Sequence, residues 1–217
     1  MVRVAHNSRI LQYSMRSMLL LITIVGVVLG DYVNDVRRQR AAVAELDELG
    51  GWCFYEYEWD DQRDLPKQAV SGPPGPNWLI KVLGVDMFHP VVAVTFVDAE
   101  VDDEDLVLLR SLPRVRNLNL RFANVTDVGL SKIALLKRLE VLNVSQTHIS
   151  DAGLLHIQAL KELRSVDLCG TKVTDAGLQN LEALSKLEKV YLENSGVTDE
   201  GFHRLQRARP GVRRHRY

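Results

Sequence analysis

Four short phrases, VTDVGL from Val125, ISDAGL from Ile149, VTDAGL from Val173 and VTDEGF from Val197, start 24 residues apart. A period of that length fixes an architecture before local propensity is consulted. A degenerate counterpart, VDDEDL, begins one period earlier at Val101. Strand-like phrases precede them in the same register: VVAVTF from Val91, VRNLNL from Val115, LEVLNV from Leu139, LRSVDL from Leu163 and LEKVYL from Leu187.

The two halves of the unit have different hydrophobic periods. Leu118 and Leu120 alternate with Asn117, Asn119 and Arg121, the two-residue period of a strand with one buried face. Leu130, Ile133 and Leu136 recur every three residues, as do Leu154, Ile157, Leu160 and Leu178, Leu181, Leu184, which marks one face of a helix. No single unit carries enough apolar surface to fold alone, so neighbouring units must stack and share a core. Thr126, Ser150, Thr174 and Thr198 fall at the helix N-cap, where a side-chain oxygen accepting an amide proton is worth about 1 kcal/mol. Asp127, Asp151, Asp175 and Asp199 follow in the first turn, where a carboxylate meets the positive helix end. Gly129, Gly153, Gly177 and Gly201 each cost about 1 kcal/mol against Ala in a helix, so their reuse predicts a close approach to a neighbouring coil.

The unit resembles the leucine-rich repeats of the ribonuclease-inhibitor-like and F-box-type group, and the layout is similar to bacterial membrane-anchored leucine-rich-repeat proteins with a short N-terminal hydrophobic helix. The resemblance covers Val91 to about Arg209 and implies an α/β, right-handed β-α solenoid of about five 24-residue repeats. Two departures stand out. The customary corner asparagine is replaced by Ala123, Thr147, Thr171 and Ser195, predicting a hydroxyl ladder bonded to loop backbone. In the first unit Asp102, Asp103, Glu104 and Asp105 replace the Thr-Asp-x-Gly bend, as suits a capping unit.

In such a solenoid the outward columns of the concave sheet are Ala93, Thr95, Val97; Asn117, Asn119, Arg121; Val141, Asn143, Ser145; Ser165, Asp167, Cys169; and Lys189, Tyr191, Glu193. Five strands give a face roughly 20 to 25 Å wide. The expected partner-binding residues are Asn117, Asn119, Arg121, Asn143, Ser145, Asp167, Lys189, Tyr191 and Glu193. Arg121 and Tyr191 are the expected anchors, because Arg and Tyr dominate binding hot spots.

Upstream, Met18 to Leu29 is an uncharged apolar run, preceded by Arg3, Arg9 and Arg16. Ile10, Leu11, Tyr13 and Met15 extend its greasy face, so residues 17–33 are read as a retained single-pass anchor behind a flank of residues 1–16. A signal cleaved after Val28-Leu29-Gly30 and followed by export is the alternative. Arg37, Arg38 and Arg40 balance the upstream arginines and leave topology open. Residues 34–50, with Val36, Val43 and Leu46 apolar, read as a helical stalk without the sustained heptads of a coiled coil. Residues 51–90 read as an N-terminal cap: a strand from Trp52 to Trp59, the loop SGPPGPN, and a short helix through Trp78, Leu79, Val82 and Leu83. Repeats fill 91–209, and residues 210–217 form a basic C-terminal tail.

Catalytic chemistry is not signalled. HExxH, P-loop, GxGxxG and GxSxG motifs are missing, and His148, His156 and His203 fall on loop or solvated helix positions without paired carboxylates. Cys53 and Cys169 are too few for a disulfide framework or a cysteine metal site, and no cofactor is expected. A net charge of −1 supplies no field for nucleic acid. The cluster Arg204, Arg207, Arg209, Arg213, Arg214 and Arg216 reads as a solvated tail over the last repeat. The resulting expectation is a membrane-anchored, non-enzymatic module that binds a protein or peptide on its concave sheet. The alternative is a structural envelope component with no specific ligand.

Overall fold

The computed structural model describes residues 15–60, 63, 65–68, 72–96 and 100–215, with side chains from residue 18. The first 14 residues, which include Arg3, Arg9, Ile10, Leu11 and Tyr13, and the predicted concave residue Val97 lie outside the described residues, as do Arg216 and Tyr217. Helix α1 (Met15–Glu48) runs unbroken for 34 residues. Its Met18–Glu48 stretch is long and apolar enough to cross a membrane, and none of its most apolar window is buried.

Then come strands β1 (Gly51–Tyr55), β2 (Trp59–Asp60) and β3 (Leu65–Pro66), helix α2 (Asn77–Leu83) and a 3₁₀ turn at Val85–Met87. The repeats supply β4 (Val91–Phe96), a 3₁₀ helix at Asp105–Ser111, β5 (Asn117–Asn119), α3 (Asp127–Ile133), β6 (Val141–Asn143) and α4 (Asp151–Ile157). They continue with β7 (Ser165–Asp167), α5 (Asp175–Leu178) running into a 3₁₀ helix at Gln179–Ala183, β8 (Lys189–Tyr191), α6 (Asp199–Ala208) and β9 (Arg213–His215).

Seven strands form one sheet in the order β1-β4-β5-β6-β7-β8-β9. All neighbours from β4 to β9 are parallel and in 24-residue register, so Ala93, Asn117, Val141, Ser165, Lys189 and Arg213 stand side by side. The architecture is an α/β solenoid with a parallel sheet on one wall and short helices on the other. Leu118, Leu142, Val166 and Val190 line one column of the core and Ile133, Ile157 and Leu181 face them, all at most 1% exposed. Each such side chain contributes about 1.5–3 kcal/mol by leaving water.

The bends hold the coils together laterally. Thr126, Ser150 and Thr174 each accept an amide proton from the residue two positions on, as N-caps should. The aspartates do something other than face their own helix dipole. Asp127 accepts the amide and hydroxyl protons of Ser150 at 2.8 and 2.6 Å, one repeat further on. Asp103 does the same for Thr126, Asp151 for Thr174 and Asp175 for Thr198. The glycines follow from this. A Cβ on Gly129, Gly153, Gly177 or Gly201 would overlap the Oδ1 of Asp103, Asp127, Asp151 or Asp175 respectively. The close approach is therefore to the preceding unit's carboxylate. The corner hydroxyls of Thr147, Thr171 and Ser195 donate to the carbonyls of Val144, Leu168 and Leu192 at 2.6 to 2.7 Å.

The two ends are closed by different means. β1 pairs antiparallel with β4 and covers the sheet edge. The helical layer is covered by the end of α1, where Ala42 and Leu46 are buried in the repeat core, so this part of the expected stalk is built into the domain. The predicted capping helix covers little: α2 has no buried residue, and Trp78 is 68% exposed. Residues 213–215 are a strand instead of solvated tail, and Val212 is fully buried. Arg214 stands in register with Val190 and its Nη1 lies 2.6 Å from Asp199 Oδ1, so the carboxylate of the fourth Thr/Ser-Asp bend meets a guanidinium where the earlier ones meet a Ser or Thr.

Candidate functional site

Strand alternation turns residues 93 and 95 and their counterparts one period on toward the concave side. Not all of that surface is open. Ala93 is fully buried, in a small cluster with Trp59, Val92 and Phe54, because the cap folds over the first strand. Of the predicted partner-binding residues, Arg121 and Lys189 are exposed, and Asn119, Asn143, Tyr191 and Glu193 are half-buried. Asn117, Ser145 and Asp167 are 8%, 3% and 4% exposed, contrary to the expectation of an open column.

Hydrogen bonding accounts for much of this. The Oδ1 atoms of Asn119, Asn143 and Asp167 accept the amide protons of Arg121, Ser145 and Cys169, each two residues on, at 2.9 to 3.0 Å. These are Asx turns that end the strands, so side chains read from spacing as free recognition groups are partly engaged by their own backbone. Ser145 also donates its hydroxyl to Asn143 at 2.7 Å. The thiol of Cys169 donates to Glu193 Oε2 at 2.9 Å, and burial together with Glu193 and Asp167 pushes its pKa up, away from a reactive thiolate. Burial, with Asp47 and Asp86 nearby, pushes the Cys53 thiol up to about 12.

Two clusters remain on the open part of the face. At the rim after β5, Phe122 is 60% exposed with φ 64°. The same corner holds Gln146, Gly170 and Asn194 in the later units, all with positive φ. A phenylalanine there is unusual, because bulky residues crowd their own backbone in the left-handed region. The Arg121 guanidinium lies over its ring, 4.7 Å from the centroid. At the far end, Lys189 is directly opposite Arg213, and the Tyr191 and His215 rings are 5.5 Å apart. Sequence reasoning found Arg121, Lys189 and Tyr191; it missed Phe122, since a corner residue lies outside the strand alternation, and Arg213 and His215, because they sit beyond the last repeat phrase. His148, His156 and His203 are all exposed. Among the described residues no group of three or more His, Cys, Asp or Glu could hold a metal ion.

Residues 115–134 and 138–157 match the family described as leucine rich repeat. With the parallel sheet in 24-residue register and the Leu, Ile and Val columns behind it, this makes the fold a leucine-rich-repeat solenoid. Among solved structures it is similar to a leucine-rich-repeat protein of Leptospira interrogans, at 22% identity and a TM-score of 0.41 over 51% of this chain and 27% of that one. It is also similar to an internalin of Listeria monocytogenes, at 17% identity and a TM-score of 0.38 over 57% of this chain and 38% of that one. The chain thus spans well under half the length of either. No curated protein matches it.

Proposed function

We propose that this chain is a membrane-anchored, non-enzymatic module that holds a protein or peptide on its concave sheet, with Arg121 and Tyr191 as principal anchors and Asn117, Asn119, Asn143, Ser145, Asp167, Lys189 and Glu193 shaping the floor between them. The observation that carries this reading is the rim: an exposed phenylalanine held at φ 64° beneath an arginine. Left-handed backbone at a non-glycine residue costs about 1–3 kcal/mol. An aromatic left mostly exposed at that cost offers a partner apolar area beside a guanidinium. Anchoring is supported by the apolar, solvent-facing first half of α1.

The test is crosslinking of the full chain in its native membrane, followed by partner recovery. Arg121→Ala/Tyr191→Ala is expected to lower recovery at least tenfold, since hot-spot truncations cost about 2 kcal/mol or more each. Unchanged recovery counts against the reading. The burial of Asn117, Ser145 and Asp167 favours a second reading, a structural envelope component whose anchor matters more than its face. It predicts that removing residues 17–33 changes phenotype while concave substitutions do nothing.

A further inference from the structure

Away from the sheet, α1, the cap and the first repeat line a cleft of about 410 Å³ that includes Tyr32, Arg38, Phe88, His89, Arg110 and Arg114. Three elements contribute its cations: Arg38 from α1, Arg110 from the 3₁₀ helix at Asp105–Ser111, and Arg114 from the turn after it. Two acids share the lining, Asp35 and Asp86. Asp86 is already answered by Arg40 Nε at 3.3 Å, Tyr55 Oη at 2.9 Å and Gln39 Nε2 at 3.2 Å. Asp35 is 4.0 Å from Arg38, on a side chain 77% exposed. Arg110 and Arg114 are exposed and have no ion pair among the described residues, so the cleft carries positive charge that the protein does not neutralise.

Its height along α1 matters. Gly30 ends the apolar run and Asp31 is the first charge after it. Tyr32 to Gln39 therefore lie about 3 to 14 Å beyond the run at 1.5 Å per helical residue. The headgroup layer on each side of a bilayer core is roughly 5–8 Å deep. If α1 spans a membrane, the cleft thus starts inside that layer at Tyr32 and extends past it to Arg38, about 12 Å out, from where a long arginine side chain can reach back toward the headgroups. The Tyr32 hydroxyl donates to the Met87 carbonyl, which holds the segment bearing Phe88, 42% exposed, against the helix at that level.

We propose that this cleft binds the phosphate of an anionic phospholipid, with Arg38, Arg110 and Arg114 meeting its charge and Tyr32 and Phe88 lying toward the glycerol and acyl chains. The proposal rests on the membrane reading of α1. Basic groups at a membrane surface each contribute about fivefold to anionic-lipid affinity, so the loss of two is worth about 25-fold.

The full chain in zwitterionic detergent is titrated calorimetrically with dioctanoyl-phosphatidylglycerol, dioctanoyl-phosphatidylcholine and glycerol 3-phosphate. The expected result is preference for phosphatidylglycerol, weakened about 25-fold in Arg110→Ala/Arg114→Ala and unchanged in the charge-matched control Arg138→Ala/Arg207→Ala. Equal binding of the two lipids, undiminished binding in the cleft variant, or glycerol 3-phosphate binding as tightly as the lipid overturns the lipid site. Flotation with phosphatidylcholine vesicles tests the anchor separately. A chain that floats without a phosphatidylglycerol preference overturns only the lipid site; a chain that does not float overturns the anchoring reading and the lipid site with it.

Discussion

Replacing Gly153 by alanine should destabilise the protein, although Gly→Ala in an ordinary helix stabilises by about 1 kcal/mol. Gly153 is buried in α4, and a Cβ there would overlap Asp127 Oδ1 and come within 2.9 Å of Leu130 Cδ1. That carboxylate accepts both the Ser150 amide and the Ser150 hydroxyl, so it cannot retreat without loosening the contact between repeats. Hydrogen bonds to a charged acceptor are worth about 1.5–3 kcal/mol each. Overpacking a close-fitted site costs about 1–3 kcal/mol. Partial loss of the bonds and partial relaxation, set against the propensity gain, leave a net cost of about 2–4 kcal/mol. Urea unfolding of the full chain in detergent, followed by circular dichroism, reads this as a lower midpoint. Asp127→Ala should cost a similar amount, and the double variant should cost less than the sum by about 1–3 kcal/mol, because the added methyl then meets no carboxylate. Gly211→Ala, with nothing within 4 Å of its Cβ, is the neutral control. A stabilising or neutral Gly153→Ala, or strict additivity with Asp127→Ala, would refute the carboxylate-in-glycine account.

Phe122→Gly should stabilise the fold by about 1 kcal/mol, since glycine adopts φ 64° without strain, while partner recovery falls; a loss of stability would mean that the ring supports the fold. The Thr198 hydroxyl and amide hold the Asp175 carboxyl below its ordinary range, with Arg204 helping and desolvation opposing. A depressed folded-state pKa gives stability that is present above the unfolded value of about 3.9 and lost as pH falls through the folded one. Asp175→Asn should therefore flatten the acid limb of a denaturation midpoint against pH profile below about pH 4, and an unchanged limb would contradict the assignment.

The repeat was legible because a fixed period needs no knowledge of tertiary partners: Leu118 and Leu142 occupy one column in sequence and in space. The Thr and Ser caps were legible for the same local reason. The aspartates were not. Local reasoning places Asp127 beside its own helix dipole, and only the parallel register brings Ser150, 23 residues on, within reach of its carboxylate. Val43 and Leu46 stood out as apolar, but so short a pattern cannot name what covers it, and burial of Leu46 against the first repeat emerges only once the solenoid has an end to close. β9 escaped notice because Arg213 to His215 carries no hydrophobic alternation; its register comes from pairing with β8, and Arg214 takes a core column by reaching Asp199. On the concave side alternation identified the outward positions, yet Asx turns at Asn119, Asn143 and Asp167 turn three candidate ligand contacts into strand endings.

That consecutive 24-residue coils lie side by side in parallel register is tested most directly by disulfide trapping on the concave sheet. Val141 and Ser165 are lateral partners on β6 and β7, whereas Lys189 is one strand further on. Adjacent strands are about 4.8 Å apart and alternate ones about 9.6 Å, against a usual Cα separation of about 4.4–6.8 Å in a disulfide. In a background of Cys53→Ala and Cys169→Ala, Val141→Cys/Ser165→Cys should oxidise readily and Val141→Cys/Lys189→Cys should remain reduced. Equal crosslinking of both pairs, or crosslinking of the second alone, would contradict the stacked register.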